Sequence, residues 1–155
     1  MKQLDLPAGT WINKGQSYWG WSEEQIKKIE EMKNAKYVGD FCLKTRDGAW
    51  AEEPVALFWQ ETPPVEGYSH YFGLFYRNQT LYVTGGQSAA DEVMTGMIAD
   101  SGEIIYSRYR HDYRVSADGT AMIDGGRDYV RSNMPCRPIL LKIIGSDVVA
   151  VEVEE

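Results

Sequence analysis

The stretch ILLKIIGSDVVAVEV, residues 139–153, places two apolar segments on either side of a Gly145-Ser146 pair. Short segments rich in Ile and Val around such a pair are typical of a β-hairpin. The same pattern occurs at four earlier places in the chain. The paired segments lie at 36–44 and 54–60, 69–76 and 80–84, 93–99 and 103–109, and 111–116 and 120–124. The sequence therefore predicts an α+β fold made mainly of antiparallel hairpins that curl into a sheet or a partial barrel.

Turn-forming residues separate the two segments of each pair. Thr45-Arg46-Asp47-Gly48 and Asp100-Ser101-Gly102 are examples, because Asp and Gly both favour tight turns. After the second pair, Gly85-Gly86 is expected to open a polar loop that reaches about Glu92.

One helix is predicted near the N-terminus, over about residues 23–34. Ser22 and Gln25 have the spacing of a capping box, and two glutamates follow Ser22, where the helix dipole favours negative charge. The apolar stripe that would pack this helix against the sheet is narrow: Ile26, Ile29 and either Met32 or Lys33.

Length and charge limit the class of protein. The 155 residues are about the size of one domain, so we expect a single domain over 1–155. The 16 Lys and Arg against 23 Asp and Glu give a formal charge of −7 and a pI near 4.9. This acidity argues against a nucleic-acid partner, because proteins that bind the phosphate backbone are usually basic.

Sequence signals for export, membrane insertion and disulfide formation are weak. The start, MKQLDLPAG, has no apolar segment of the secretory type, and no apolar run approaches the ~18 residues that span a bilayer. Two cysteines, Cys42 and Cys136, are too few for a disulfide framework or a zinc quartet. We expect a cytoplasmic protein with reduced thiols and no membrane partner, with a Cys42–Cys136 bridge as the alternative.

The acidic residues are concentrated in the middle third of the chain. Residues 51–100 carry seven acidic side chains and one basic one, Arg77. An acidic surface can dock on a basic partner. Because these acids are scattered, an ordinary solvated face is the favoured interpretation.

Several aromatic residues precede the predicted helix, including Trp11, Trp19 and Trp21. Such rings can stack on a base or a peptide, so Trp19 and Trp21 are candidate partner-binding residues. The favoured alternative is that the rings pack this segment against the sheet.

The segment SRYRHDYR, residues 107–114, is a candidate anion site. Alternate residues of an extended chain share a face. That geometry would place four charged side chains together: Arg108, Arg110, Asp112 and Arg114. His111 would then lie on the opposite face. The charged face could bind a phosphate or carboxylate through bidentate bonds, and ion pairs within the protein are the favoured alternative.

A glycine-rich turn follows in IDGGRDYVR, residues 123–131, where Asp-Gly-Gly favours a tight turn. The candidate binding residues here are Asp124, Arg127, Asp128 and Arg131. His111 and these aspartates could form an acid–base or metal set. However, the chain has no nucleophile spaced with a base, no phosphate-cradling glycine motif and no HExxH. We therefore expect no catalytic residue, no bound metal and no cofactor.

The charged residues of the two segments can also neutralise each other across adjacent strands. In this hypothesis, arginines and aspartates fix how the two hairpins cross. The arginines are Arg110, Arg127 and Arg131, and the aspartates are Asp112, Asp124 and Asp128.

Together, RYRHDYR and DGTAMIDGGRDYVR resemble a module of uncharacterised, largely bacteriophage-encoded small proteins, in which RHDY or RHDF precedes DGG-x-[DE]Y-x-R. In many of those proteins the module resembles a small zinc ribbon with CxxCG and CxCG turns. The four cysteine positions read Ile98, Ser101, Ser116 and Asp118 here, so none is a thiolate. The resemblance covers about residues 96–132. It implies a metal-free, ribbon-like module whose turns are held by hydrogen bonds and packing.

Three functions are compatible with these observations. The first is a non-enzymatic, phage-type accessory protein that binds a host protein in the host cytoplasm, with inhibition of a host defence system as its effect. The alternative is a small-ligand or nucleotide-binding protein, or a minor hydrolase, that uses the arginine-rich segment and the DGG turn for an anionic ligand. The third is a structural component of a virion.

Overall fold

The computed structural model describes residues 2–14, 21–51, 53–63, 69–77, 80–126, 131–132 and 137–152. Strands account for most of its regular structure. The strands are β1 Lys2–Gln3, β2 Trp11–Ile12, β3 Lys36–Phe41, β4 Val55–Trp59, β5 Tyr71–Arg77, β6 Thr80–Gly85, β7 Met94–Ile98, β8 Glu103–Tyr106, β9 Arg114–Val115, β10 Met122–Asp124, β11 Arg131–Ser132, β12 Arg137–Ile144 and β13 Asp147–Glu152. The helices are α1 Glu23–Lys33 and α2 Gln87–Asp91.

The fold is α+β with a partial barrel, as predicted. A six-stranded sheet in the order β1-β13-β12-β7-β8-β2 curls into a half-barrel. Its pairs are antiparallel except β2 and β8, which run parallel. A four-stranded antiparallel sheet, β3-β4-β5-β6, and a three-stranded one, β11-β10-β9, complete the architecture.

All five predicted hairpins form. The antiparallel pairs are β3–β4, β5–β6, β7–β8, β9–β10 and β12–β13. The first turn is tight because the Asp47 carboxylate accepts the Ala49 N–H at 3.1 Å and the Gly48 N–H bonds to the Thr45 carbonyl at 3.0 Å. Local sequence patterns therefore suffice to locate these hairpins.

Helix α1 begins where the capping box predicts. The Gln25 N–H donates to Ser22 Oγ at 3.2 Å, and the Ser22 N–H donates to Gln25 Oε1 at 2.9 Å. The helix ends at Lys33 because Asn34 takes a left-handed conformation with φ of 49°. Ile26 and Ile29 are half-buried against β4 and β5, whereas Met32 is exposed and contributes no packing.

Two predictions about regular structure are wrong. The strands predicted at 103–109 and 111–116 shrink to β8 and β9, with an irregular segment between them. The loop predicted after Gly85-Gly86 contains the short helix α2, whose Ala89 and Ala90 are buried in the core. Small apolar side chains at these two positions allow the helix to pack closely.

The main core lies between the four-stranded sheet, the six-stranded sheet and α2. Phe41 and Leu57 come from the first sheet, and Ile104 and Leu141 come from the second. A second cluster joins the three-stranded sheet to β7 and β8 through residues such as Ile123. None of the described helices is long and apolar enough to cross a membrane.

Candidate functional site

Residues 107–113 form a compact loop rather than the predicted strand. The Asp112 N–H bonds to the Tyr109 carbonyl at 3.0 Å, and Ser107 Oγ donates to the Asp112 carbonyl at 2.7 Å. His111 has a φ of 67° and is exposed. Because the chain turns here, the predicted single face of charged residues does not form.

Asp112 is the residue that closes this loop. Its side chain is fully buried, and its carboxylate accepts the Arg108 N–H at 3.0 Å and Arg114 Nε at 2.7 Å. Hydrogen bonds to a charged acceptor are about twice as strong as those between neutral groups. The sequence correctly suggested that Asp112 pairs with a nearby arginine, but through a turn and not across an extended face.

Arg108 is buried next to an aromatic ring. Its guanidinium carbon lies 4.8 Å from the ring centroid of Tyr106, a cation–π distance, and both residues are almost fully buried. Burial raises the pKa of the Tyr106 hydroxyl, and the positive charge of Arg108 opposes that rise.

Asp40 joins this group from β3 of the other sheet. Its Oδ1 accepts the Tyr37 hydroxyl at 2.7 Å. Burial raises the pKa of the Asp40 carboxyl to about 6, against the opposing effects of the Tyr37 bond and the charge of Arg108. We call Asp40, Tyr106, Arg108, Asp112 and Arg114 the Arg108 cluster.

The Arg108 cluster contains polar atoms that its protein neighbours do not satisfy. Within the described residues, Asp40 Oδ2 and Arg108 Nε are buried without a hydrogen-bond partner. Buried polar groups are nearly always bonded, so such atoms need an explanation. Water or a small polar ligand would satisfy them.

The DGG turn packs directly on this loop. The Gly126 N–H donates to Ser107 Oγ at 2.8 Å. A Cβ on Gly126 would lie 2.4 Å from the Tyr109 carbonyl carbon, and its φ is 60°, so only glycine fits. Asp124 is half-buried and its carboxylate accepts the Gly125 N–H at 2.8 Å. The structure therefore brings together the two segments that the sequence singled out.

The other predicted site residues lie in different parts of the fold or outside the described residues. Arg110 is half-buried, and Trp21 packs beside α1 with Ile26 and Ile29. Residue 131 pairs with Asp124 in the β10–β11 ladder. Trp19, Arg127, Asp128 and Cys136 lie outside the described residues, which leaves the crossing network of arginines and aspartates and the cysteine bridge as expectations.

The two turns that match the ribbon positions contact each other through hydrogen bonds. The Ser101 N–H donates to Asp118 Oδ2 at 2.9 Å, and Ser116 Oγ donates to Asp118 Oδ1 at 2.6 Å. These bonds, the one from Ser116 above all, lower the pKa of the Asp118 carboxyl. Below them, buried Glu103 accepts the Ala117 N–H at 2.7 Å. Among the described residues, no three His, Cys, Asp or Glu side chains are placed to share a metal ion.

Strand β6 forms a second region of interest, which is exposed and uncharged, unlike the Arg108 cluster and the two turns. Strand β6 is the last strand of its sheet, and in the described part of the chain its ladder partner is β5 alone. The Gly86 N–H bonds to the carbonyl of Tyr71, the residue opposite it, and hydrogen-bonded pairs alternate with non-bonded pairs along an antiparallel ladder. Tyr82 and Thr84 therefore bond to β5, and the N–H and C=O of Val83 point away from the sheet.

Two side chains of this strand, those of Tyr82 and Val83, are also exposed. The exposed fraction is 68% for Val83 and 45% for Tyr82, whose ring stacks on Phe75 with centroids 5.2 Å apart. The strand sequence, TLYVTG, contains no charged residue and no proline. Proteins usually protect an edge strand with such residues or with a bulge. We call this outer side of β6, with Tyr82 and Val83, the β6 edge.

A shallow groove of about 220 Å³ lies beside the β6 edge. Val55, Phe75 and Thr84 line it from the sheet, and Leu43 and Pro54 line it from the β3–β4 hairpin. The sequence did not indicate this region, because an apolar strand reads the same whether it is central or at an edge.

No protein-family model matches this chain, and comparison with curated proteins and with solved structures also finds no match.

Proposed function

We propose that this protein acts by binding another protein, with the β6 edge as the contact surface, and that it is not an enzyme. The observation that carries this proposal is the exposure of an uncharged strand edge, with Val83 and Tyr82 open to solvent. Exposed edges of this kind are templates for pairing with another chain.

The buried polar residues support the second part of the proposal, that the protein is not an enzyme. Asp112, Ser107 and Glu103 are buried, and each is bonded to a neighbouring part of the same chain. Groups held in this way position the loop and the turns, and catalysis would need them accessible to a substrate. These three buried residues are therefore better explained as fold determinants.

The resemblance to phage-encoded proteins extends the proposal to the origin of the partner. If the chain is phage-encoded, the partner is a host protein, the place of action is the host cytoplasm, and a component of a host defence system is the first candidate. Its binding would then block that component.

Site-specific photo-crosslinking tests the proposal. A photo-reactive amino acid replaces Val83 on β6 or, as the matched control, Val115 on β9, which is 46% exposed. In bacterial lysate we expect one discrete protein to crosslink from position 83 and not from position 115. The same products from both positions, or no product from either, would contradict it.

A small anionic ligand is the second candidate, and the unsatisfied Nε of Arg108 is the atom that favours it. A ligand that binds only the folded state raises the melting temperature. If this candidate is right, phosphate or a nucleoside triphosphate will raise the melting temperature of the wild type and of Val83→Lys, but not of folded Arg108→Met. An unchanged melting temperature of the wild type with both anions removes this candidate.

A further inference from the structure

We infer that the β6 edge is completed by a basic, extended segment of the partner, which adds to the four-stranded sheet as a fifth strand. This inference rests on the proposed function and specifies the chemistry of its partner.

The backbone of β6 supplies the first argument. In an antiparallel ladder the residues alternate between facing the partner strand and facing away from it. Since Tyr82 and Thr84 face β5, Val83 offers one donor and one acceptor to an incoming strand. An added strand would bond to these groups without disturbing the β5–β6 pair.

The side chains specify what the added strand should carry. Tyr82 and Thr84 lie on the face of the sheet that holds the groove, and Val83 lies on the other face. Cross-strand pairs with Tyr and Val favour aromatic and β-branched partners. An incoming strand with β-branched residues would therefore cover Val83 on one face and extend the Tyr82–Phe75 stack on the other.

The net charge of this part of the chain favours a basic partner segment over a second copy of the chain. The region 51–100, which contains β4, β5, β6 and α2, has a net charge of −6, from seven acids and Arg77. Pairing two β6 edges would bring two such regions together, and like charges oppose association. The groove beside the edge is lined by one acid, Glu53, and one base, Lys44, so the negative charge comes from the rest of this region. Lysine or arginine at the ends of the incoming strand would complement this charge.

Two synthetic peptides test the inference on the full-length protein. Both have a core of alternating Val and Thr; one is flanked by lysines and the other by glutamates. We expect the lysine peptide to bind at least about tenfold more tightly, with an affinity that falls as salt is added. Binding should slow hydrogen exchange at the Val83 amide.

Matched variants locate the contact. Val83→Pro removes the outward N–H, which the ladder with β5 does not use, so the variant should fold and bind the lysine peptide about five- to tenfold more weakly, as expected for one lost hydrogen bond. Val83→Thr keeps the N–H and the β-branch and should bind like the wild type. If Val83→Pro does not fold, a lysine peptide N-methylated on the groups that face β6 should show the same loss.

The outcomes separate this inference from the proposed function. If crosslinking from position 83 captures a partner but the two peptides bind equally or not at all, the inference fails and the proposed function stands. If the wild type is a dimer and Val83→Pro is a monomer, the occupant is a second copy and the inference fails. If neither a partner nor a peptide binds at this edge, both fail.

Discussion

The Arg108 cluster and the β6 edge differ in composition and in exposure. The first contains two aspartates and two arginines and is largely buried; the second contains no charge, and its Val83 is 68% exposed. A reader of the sequence would look for function in the first and for packing in the second. We propose the reverse, because function depends on which groups remain available to a partner.

The difference has an energetic origin. A charge taken out of water must be compensated by bonds within the protein, and those bonds then fix the fold. An uncharged side chain left in water costs little to the folded monomer. Substitutions in the Arg108 cluster should therefore change stability, and substitutions at the β6 edge should change binding.

The largest expected effect is the loss of stability in Asp112→Ala. Removing this carboxylate leaves Arg114 and the Arg108 N–H without their acceptor, which typically costs about 3–5 kcal/mol for a buried pair. Denaturant unfolding measures the change, and Asp112→Asn, which keeps one acceptor oxygen, should lose less. Asp5→Ala, at an exposed position, is the control. A loss in Asp112→Ala no greater than in the control would remove the basis of the comparison.

The next effect is a pH dependence caused by Asp40. Since burial raises the pKa of its carboxyl from 3.8 to about 6, the folded state binds a proton that the unfolded state releases between these values. The free energy of unfolding should then fall as pH rises from about 4 to about 6, by up to about 3 kcal/mol relative to Asp40→Asn. Parallel curves of unfolding free energy against pH for the two proteins would show that burial does not raise the pKa of the Asp40 carboxyl.

The exposed N-terminal cap of α1 should show a loss of stability between those expected for the two regions. Ser22→Ala removes the oxygen that accepts the Gln25 N–H, and we expect a loss of about 1 kcal/mol. Ser22→Asp keeps an acceptor and should restore most of it. An unfolding midpoint that does not move in Ser22→Ala would contradict the capping role of this serine.

Of these substitutions, the one at the β6 edge should change the free energy of unfolding least. Val83→Lys should alter the free energy of unfolding by no more than about 0.5 kcal/mol, because the side chain is in solvent. With the photo-reactive amino acid placed at position 82 instead of 83, Val83→Lys should nevertheless abolish capture of the partner. His111→Ala, at an exposed position on the loop of the Arg108 cluster, should leave capture intact. Loss of capture in folded His111→Ala with retention in Val83→Lys would exchange the roles of the two regions.

No effect at all is expected from chelation. Ser116, Asp118 and Ser101 hold the two ribbon-like turns through hydrogen bonds, so excess chelator should leave the melting temperature unchanged. Elemental analysis of the purified protein should find no stoichiometric zinc. One zinc per chain would show that these turns, like a true ribbon, depend on metal.

Local patterns in the sequence predicted most of the fold. The five hairpins and α1 follow from apolar segments, turn residues and the Ser22–Gln25 box, each of which acts over a few residues. The pairing of β7 with β12 and the parallel pairing of β2 with β8 depend on contacts far apart in the chain, which no local pattern encodes. For that reason the curl was predicted but the strand order was not.

The candidate site shows the same limit. Alternation predicted one charged face along 107–114, but the Asp112 carboxylate bonds to the Arg108 backbone and turns the chain instead. The β6 edge escaped notice because TLYVTG carries no motif. Its exposure follows from its place in the order β3-β4-β5-β6, which only the structure provides.

Amide hydrogen exchange along β6 tests the central claim most directly. In the free monomer the Tyr82 and Thr84 amides should be protected by their bonds to β5, and the Val83 amide between them should exchange nearly as fast as in an unfolded chain. Addition of the lysine-flanked peptide should then protect Val83. Equal protection of all three amides in the free monomer, or no change at Val83 when the peptide is present, would contradict an open edge that accepts a partner strand.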